Sequence, residues 1–103
     1  MYEEMIKRIE ADIRSWEELM KSQNEKMATT REILNEFQTG LSSSSAVAKA
    51  SGIPVSSEER QLYLSDIKRC NEDLAAMYEA GTEMQRSRDK LKVNLEKLQK
   101  RNA

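Results

Sequence analysis

Apolar residues recur along this chain in alternating steps of three and four, in two long runs separated by a serine-rich stretch. The first run places Ile6, Ile13, Met20, Met27, Leu34 and Leu41 at heptad position a. Position d holds Tyr2, Ile9, Trp16, Gln23, Thr30 and Phe37. In the second run, Tyr63, Cys70, Met77, Met84, Leu91 and Leu98 occupy d, and Ile67, Leu74, Gly81, Arg88, Leu95 and Asn102 occupy a. A repeat of this period puts one apolar stripe along each helix, the pattern of coiled-coil packing. The spacing therefore predicts an all-α chain, an antiparallel hairpin of two long helices joined by a Ser-rich loop.

The predicted boundaries are a helix over 2–40, a loop over 41–56 and a second helix over 57–101, together one coiled-coil unit. At about 1.5 Å per residue the first helix would be roughly 58 Å long. Gly40 is a candidate helix cap, because glycine tolerates the left-handed conformation common at helix ends. Gly52 and Pro54 bar a continuous helix through the connection, while a short helical turn over Ala46–Ala50 stays open. Ser56 followed by Glu59 has the spacing of a capping box for the second helix. Gly81 costs about 1 kcal/mol against alanine in a helix interior, so a packing reason is expected there.

The seam expected to carry the packing comprises Ile6, Ile9, Ile13, Trp16, Met20, Met27, Leu34, Phe37, Tyr63, Ile67, Leu74, Met77, Met84, Leu91, Leu95 and Leu98. Beside it stand Met5, Leu19, Ile33, Leu64 and Tyr78. Apolar residues flanking an a/d seam widen the buried face beyond what two helices need. These five form a candidate partner face. Folding the chain at residue 49 would set Trp16 against Gly81 and Met84, Arg88 near Glu10 and Asp12, Thr30 near Cys70, and Phe37 near Tyr63. The polar d residues Gln23 and Thr30 read either as a loose stretch of seam or as selectors of register, the former being favoured.

Charge changes the picture less than the stripe does. The 103 residues carry a formal net charge of −1, which disfavours a basic nucleic-acid binder. Residues 1–19 hold Glu3, Glu4, Glu10, Asp12, Glu17 and Glu18 against Lys7, Arg8 and Arg14. Residues 86–101 hold Arg86, Arg88, Lys90, Lys92, Lys97, Lys100 and Arg101 against Asp89 and Glu96. The two ends are thus electrostatic complements, and the basic stretch has no interleaved aromatic residue for stacking on bases. Weak nucleic-acid binding through this stretch is an alternative reading.

Candidate chemistry is sparse. The chain has no histidine, so the usual general base near neutral pH is missing. Cys70 is the single cysteine and lies on the apolar seam, the setting of a small hydrophobe and not of an activated nucleophile. One cysteine allows no internal disulfide and fits a reducing, intracellular compartment. No Gly-rich phosphate loop, metal-ligand cluster or run long enough for a membrane span is visible. The expectation is a non-enzymatic protein without cofactor, catalytic residue, metal site or membrane association, whose partners are other helical chains in a hetero-complex or copies of itself.

Tyr2-Glu3-Glu4-Met5-Ile6-Lys7-Arg8, then Arg14-Ser15-Trp16-Glu17-Glu18-Leu19-Met20 and Arg31-Glu32-Ile33-Leu34, resembles the carboxy-terminal helical region of the Dsn subunit of the MIND kinetochore complex. That family has a Trp followed by two polar residues and two aliphatics, a polar helix ending in Glu-Ile-Leu, a variable Ser-containing connection and a second long helix. The basic regulatory segment and carboxy-terminal tail of a full-length Dsn subunit have no counterpart here. The resemblance implies a fragment acting in a rod-like, four-chain coiled-coil assembly that links centromeric chromatin to microtubule-binding proteins during chromosome segregation. It implies a nuclear, chromosomal location and a structural role for the first-helix positions centred on Trp16. Scaffolding in a vesicle-tethering or nuclear-pore complex, or as a homodimeric four-helix bundle, is the rival reading.

Overall fold

The computed structural model describes residues 1–103 and is all-helical. Helix α1 runs over Glu3–Ser51 and α2 over Ser57–Asn102, and the pair forms an antiparallel hairpin. Acidic side chains sit in both first turns (Glu3 and Glu4, then Glu58 and Glu59) and basic ones in both last turns (Lys49, then Lys100 and Arg101). Each placement opposes the charge of the helix dipole at that end.

The serine-rich stretch is not a loop. Helix α1 continues through Gly40 and all four serines to Ser51, so the connection shrinks from the expected 41–56 to 52–56. The physical reason is that the heptad does not stop at residue 41. Leu41, Ser44 and Ala48 continue the a and d positions and are half-buried. The stop comes at Gly52, whose φ of +73° is left-handed, with Pro54 two residues on. The Ser51 hydroxyl adds a local cap by accepting from the Ile53 N–H at 3.3 Å and donating to the Ala48 carbonyl at 3.5 Å.

Helix α2 begins at the expected cap. The Glu59 N–H donates to Ser56 Oγ at 3.1 Å and the Arg60 N–H to the Ser56 carbonyl at 3.1 Å. The Glu59 carboxylate is used across the hairpin, accepting from Ser44 Oγ at 3.3 Å. Replacing Ser56 by alanine leaves the Glu59 N–H without this acceptor and should lower the unfolding free energy by about 1 kcal/mol. Urea titration followed by helical circular dichroism measures it, with Ser57→Ala as a control.

Along the hairpin the chain divides into two compact units, Met1–Glu25 with Tyr78–Ala103, and Lys26–Met77. Each unit contains a stretch of both helices. In the first, Gln23 Cγ would lie 4.0 Å from a Cβ added at Gly81, and Lys92 Nζ meets Glu17 Oε1 at 3.9 Å. In the second, Thr30 Oγ1 lies 3.8 Å from Met77 Sδ, and the Tyr63 ring lies over the backbone of Gly40.

These pairs correct the expected register. Gly81 faces Gln23 and not Trp16; Thr30 meets Met77 and not Cys70; Tyr63 covers Gly40, three residues beyond Phe37. Arg88 pairs with Asp89 of its own helix at 3.1 Å, not with Glu10 or Asp12. The cause is the lengthened α1, which moves the fold point from residue 49 to between residues 51 and 55. Each residue then meets a partner about one heptad further on. A slip of one heptad leaves the same residues in the seam while changing what each one touches.

Candidate functional site

The two helices pair along one stripe of each and leave the rest of their surface to solvent. All sixteen seam residues are buried or half-buried. Burial is shallow, however: only Ile13 (7% exposed), Met27 (8%) and Cys70 (7%) are buried, and no side chain is fully enclosed. Two helices cover one stripe of each other and leave its margins wet. Trp16, half-buried, is held on this stripe without being enclosed.

The five flanking residues are all exposed, from Ile33 at 40% to Tyr78 at 69%. Met5, Leu19 and Ile33 stand two heptads apart on α1, and Val47 continues the same column. Leu64 and Tyr78 stand two heptads apart on α2. The α1 column is at position g and the α2 column at position e. In an antiparallel pair g flanks g and e flanks e, so these columns lie along opposite sides of the seam. The Glu17–Lys92 ion pair joins two e positions and shows this arrangement directly.

Sequence reasoning missed five further exposed apolar side chains: Met1, Val47, Ile53, Leu62 and Val93. Val47 lies in the stretch expected to be a loop, and its two-heptad spacing from Ile33 is the signal that places it in the same column. With Ala48, Ile53, Pro54, Val55 and Glu59 it lines a shallow groove at the turn.

The basic stretch of α2 is partly occupied by its own neighbours. Arg86 pairs with Glu83 at 3.3 Å, Arg88 with Asp89, and Lys92 with Glu17. Such exposed pairs contribute about 0–1 kcal/mol each. They nonetheless spread opposite charge among the cations that a phosphate backbone would need. At the start of α1, a hydrogen bond from the Met1 ammonium at 2.6 Å, helped by Glu3's own backbone hydrogen bond, holds the Glu3 carboxyl below the usual carboxylate range. Glu3 is fully exposed, and the shift reflects the adjoining terminus.

Cys70 is buried as a free thiol against the seam. No helix is long and apolar enough to cross a membrane. No protein family, curated protein or solved structure matches the chain.

Proposed function

We propose that this chain is a non-enzymatic coiled-coil scaffold subunit whose hairpin packs against further helices to form a bundle of three or four. The observation that carries this reading is the mismatch between seam and cover. Sixteen apolar seam positions are satisfied only in part by two helices, and Met5, Leu19, Ile33, Leu64 and Tyr78 stand exposed beside them. Apolar area left in water at regular heptad spacing is driven to be covered. Partner helices laid along the g and e columns would cover it.

The resemblance centred on Trp16 extends the proposal to a kinetochore-type assembly in the nucleus. Identifying the chains that co-purify with this one separates that setting from a vesicle tether or a nuclear-pore scaffold. Nucleic-acid binding through Arg86–Arg101 is the weaker reading, because the acidic partners described above sit among its cations.

The test is absolute molar mass by light scattering at two concentrations, with helicity and thermal melting recorded on the same samples. Two results support the scaffold reading: a helical species of about twice 11.9 kDa, or a weakly helical monomer whose helix content rises with a partner chain. A monomer that is fully helical and melts cooperatively in dilute solution overturns it.

A further inference from the structure

We infer that the g column of α1 is a self-complementary docking stripe, and that its occupant is the same stripe of a second copy of this chain, antiparallel about a twofold axis at Leu19. The inference rests on the scaffold reading and names its partner. From the N-terminal end the stripe reads Met5, Asp12, Leu19, Lys26, Ile33, and every one of these residues is exposed. It is symmetric about Leu19 in character and antisymmetric in charge. With the axis at Leu19, Leu19 meets its own copy and Met5 meets Ile33 of the second copy. Asp12 then meets Lys26 of the second copy, and these two off-axis contacts each occur twice. This is the isologous geometry of a closed dimer, in which one patch recognises itself.

Other alignments of the stripe are penalised. A parallel, in-register pairing sets Asp12 on Asp12 and Lys26 on Lys26. An axis at Asp12 or at Lys26 likewise confronts like charges. A half-step shift places each charge against an apolar residue. Attraction in one register and repulsion or desolvation in the rest is how a helix pair selects its alignment. Within the hairpin the ion pairs use other residues, leaving both charges for a partner. Ser15 and Ser22, exposed and small, flank Leu19 one turn to either side, so the two backbones can approach closely near the axis. Val47 falls beyond the paired stretch and belongs to the groove at the turn. Leu64 and Tyr78, on the opposite side, are left for a different neighbour.

The test uses the full chain with Cys70→Ala, so that an added cysteine is the only thiol. Leu19→Cys should form a disulfide-linked dimer under mild oxidation, because an axial residue meets itself. Leu64→Cys and Val93→Cys, on other faces, should link at least about tenfold less under the same conditions. Charge variants test the register without relying on cysteine. Asp12→Lys alone and Lys26→Asp alone should each weaken the dimer by about tenfold, since both symmetric pairs become repulsive. Mixing the two variants should restore it, because each Lys then faces an Asp.

A dimer that links through Leu64→Cys as readily as through Leu19→Cys overturns the inference and leaves the scaffold reading intact. So does a dimer indifferent to both charge variants. A weakly helical monomer overturns the inference in favour of foreign helices. A stable, cooperatively melting monomer overturns both.

Discussion

Replacing Ile13 by alanine should lower the unfolding free energy of the hairpin by about 2–4 kcal/mol. Ile13 is one of three buried side chains and lies at an a position in the stretch where α1 packs on the C-terminal half of α2. Truncation removes three carbons from a site whose neighbours are fixed to two helices and relax only in part. Val93→Ala, exposed at 49% and away from both flanking columns, should change the unfolding free energy by no more than about 0.5 kcal/mol. The contrast is read by urea denaturation at one fixed protein concentration, because association would otherwise shift both midpoints. An Ile13→Ala variant as stable as wild type would mean that the seam is not where the hairpin's stability resides.

The two helix-interior glycines should respond to alanine with opposite signs. A Cβ at Gly40 would stand 2.8 Å from Tyr63 Cε1, closer than such atoms approach, and a tight 3.0 Å from its hydroxyl oxygen. The ring is a rigid plate on a half-buried residue and must be displaced. Gly40→Ala should therefore destabilise by about 1–2 kcal/mol despite alanine's better helix propensity, and Gly40→Leu by about 3 kcal/mol. At Gly81 the added methyl would meet only Gln23 Cγ at 4.0 Å, ordinary contact, so Gly81→Ala should stabilise by about 1 kcal/mol. Combining Gly40→Ala with Tyr63→Ala removes the clash, and the double variant should be more stable than the sum of its singles. Strict additivity would show that the ring does not restrain Gly40.

That contrast marks how far the sequence is legible. Periodicity alone identifies which residues line the seam and which stand beside it, because burial on a helix depends on angle, and angle follows from residue number. The Ser56 cap is legible for a similar reason: it depends on three adjacent residues. The role of each glycine is not legible, since the reason for Gly40 lies in Tyr63, far along the chain. Gly40 looks like a helix terminus and is an interior contact, whereas the true terminus at Gly52 carries the stronger signal of a following proline.

The serine tract misleads for a related reason. Serine hydroxyls compete for backbone groups and lower helix propensity, but tertiary packing decides the outcome here. Leu41, Ser44 and Ala48 continue the half-buried seam positions, and Ser44 reaches Glu59. Once the tract is helical, the fold point moves and every pairing moves with it. Met5, Leu19, Ile33, Leu64 and Tyr78 stay exposed whichever residues meet across the seam, because exposure follows from their angle on each helix. Val47 joins the column of Met5, Leu19 and Ile33 only when the tract is helical.

The division that joins Met1–Glu25 to Tyr78–Ala103 also has a mechanical meaning. Both chain ends belong to one unit, so a pull between them opens the helices like a zipper. Layers of contact break in sequence, each bearing the whole load in turn. Helices dragged lengthwise past one another would instead resist with all their layers together. A hairpin of this form resists tension well only when α1 and α2 are gripped as a pair. A contact spanning both helices would supply such a grip, and a load on one helix end alone would not.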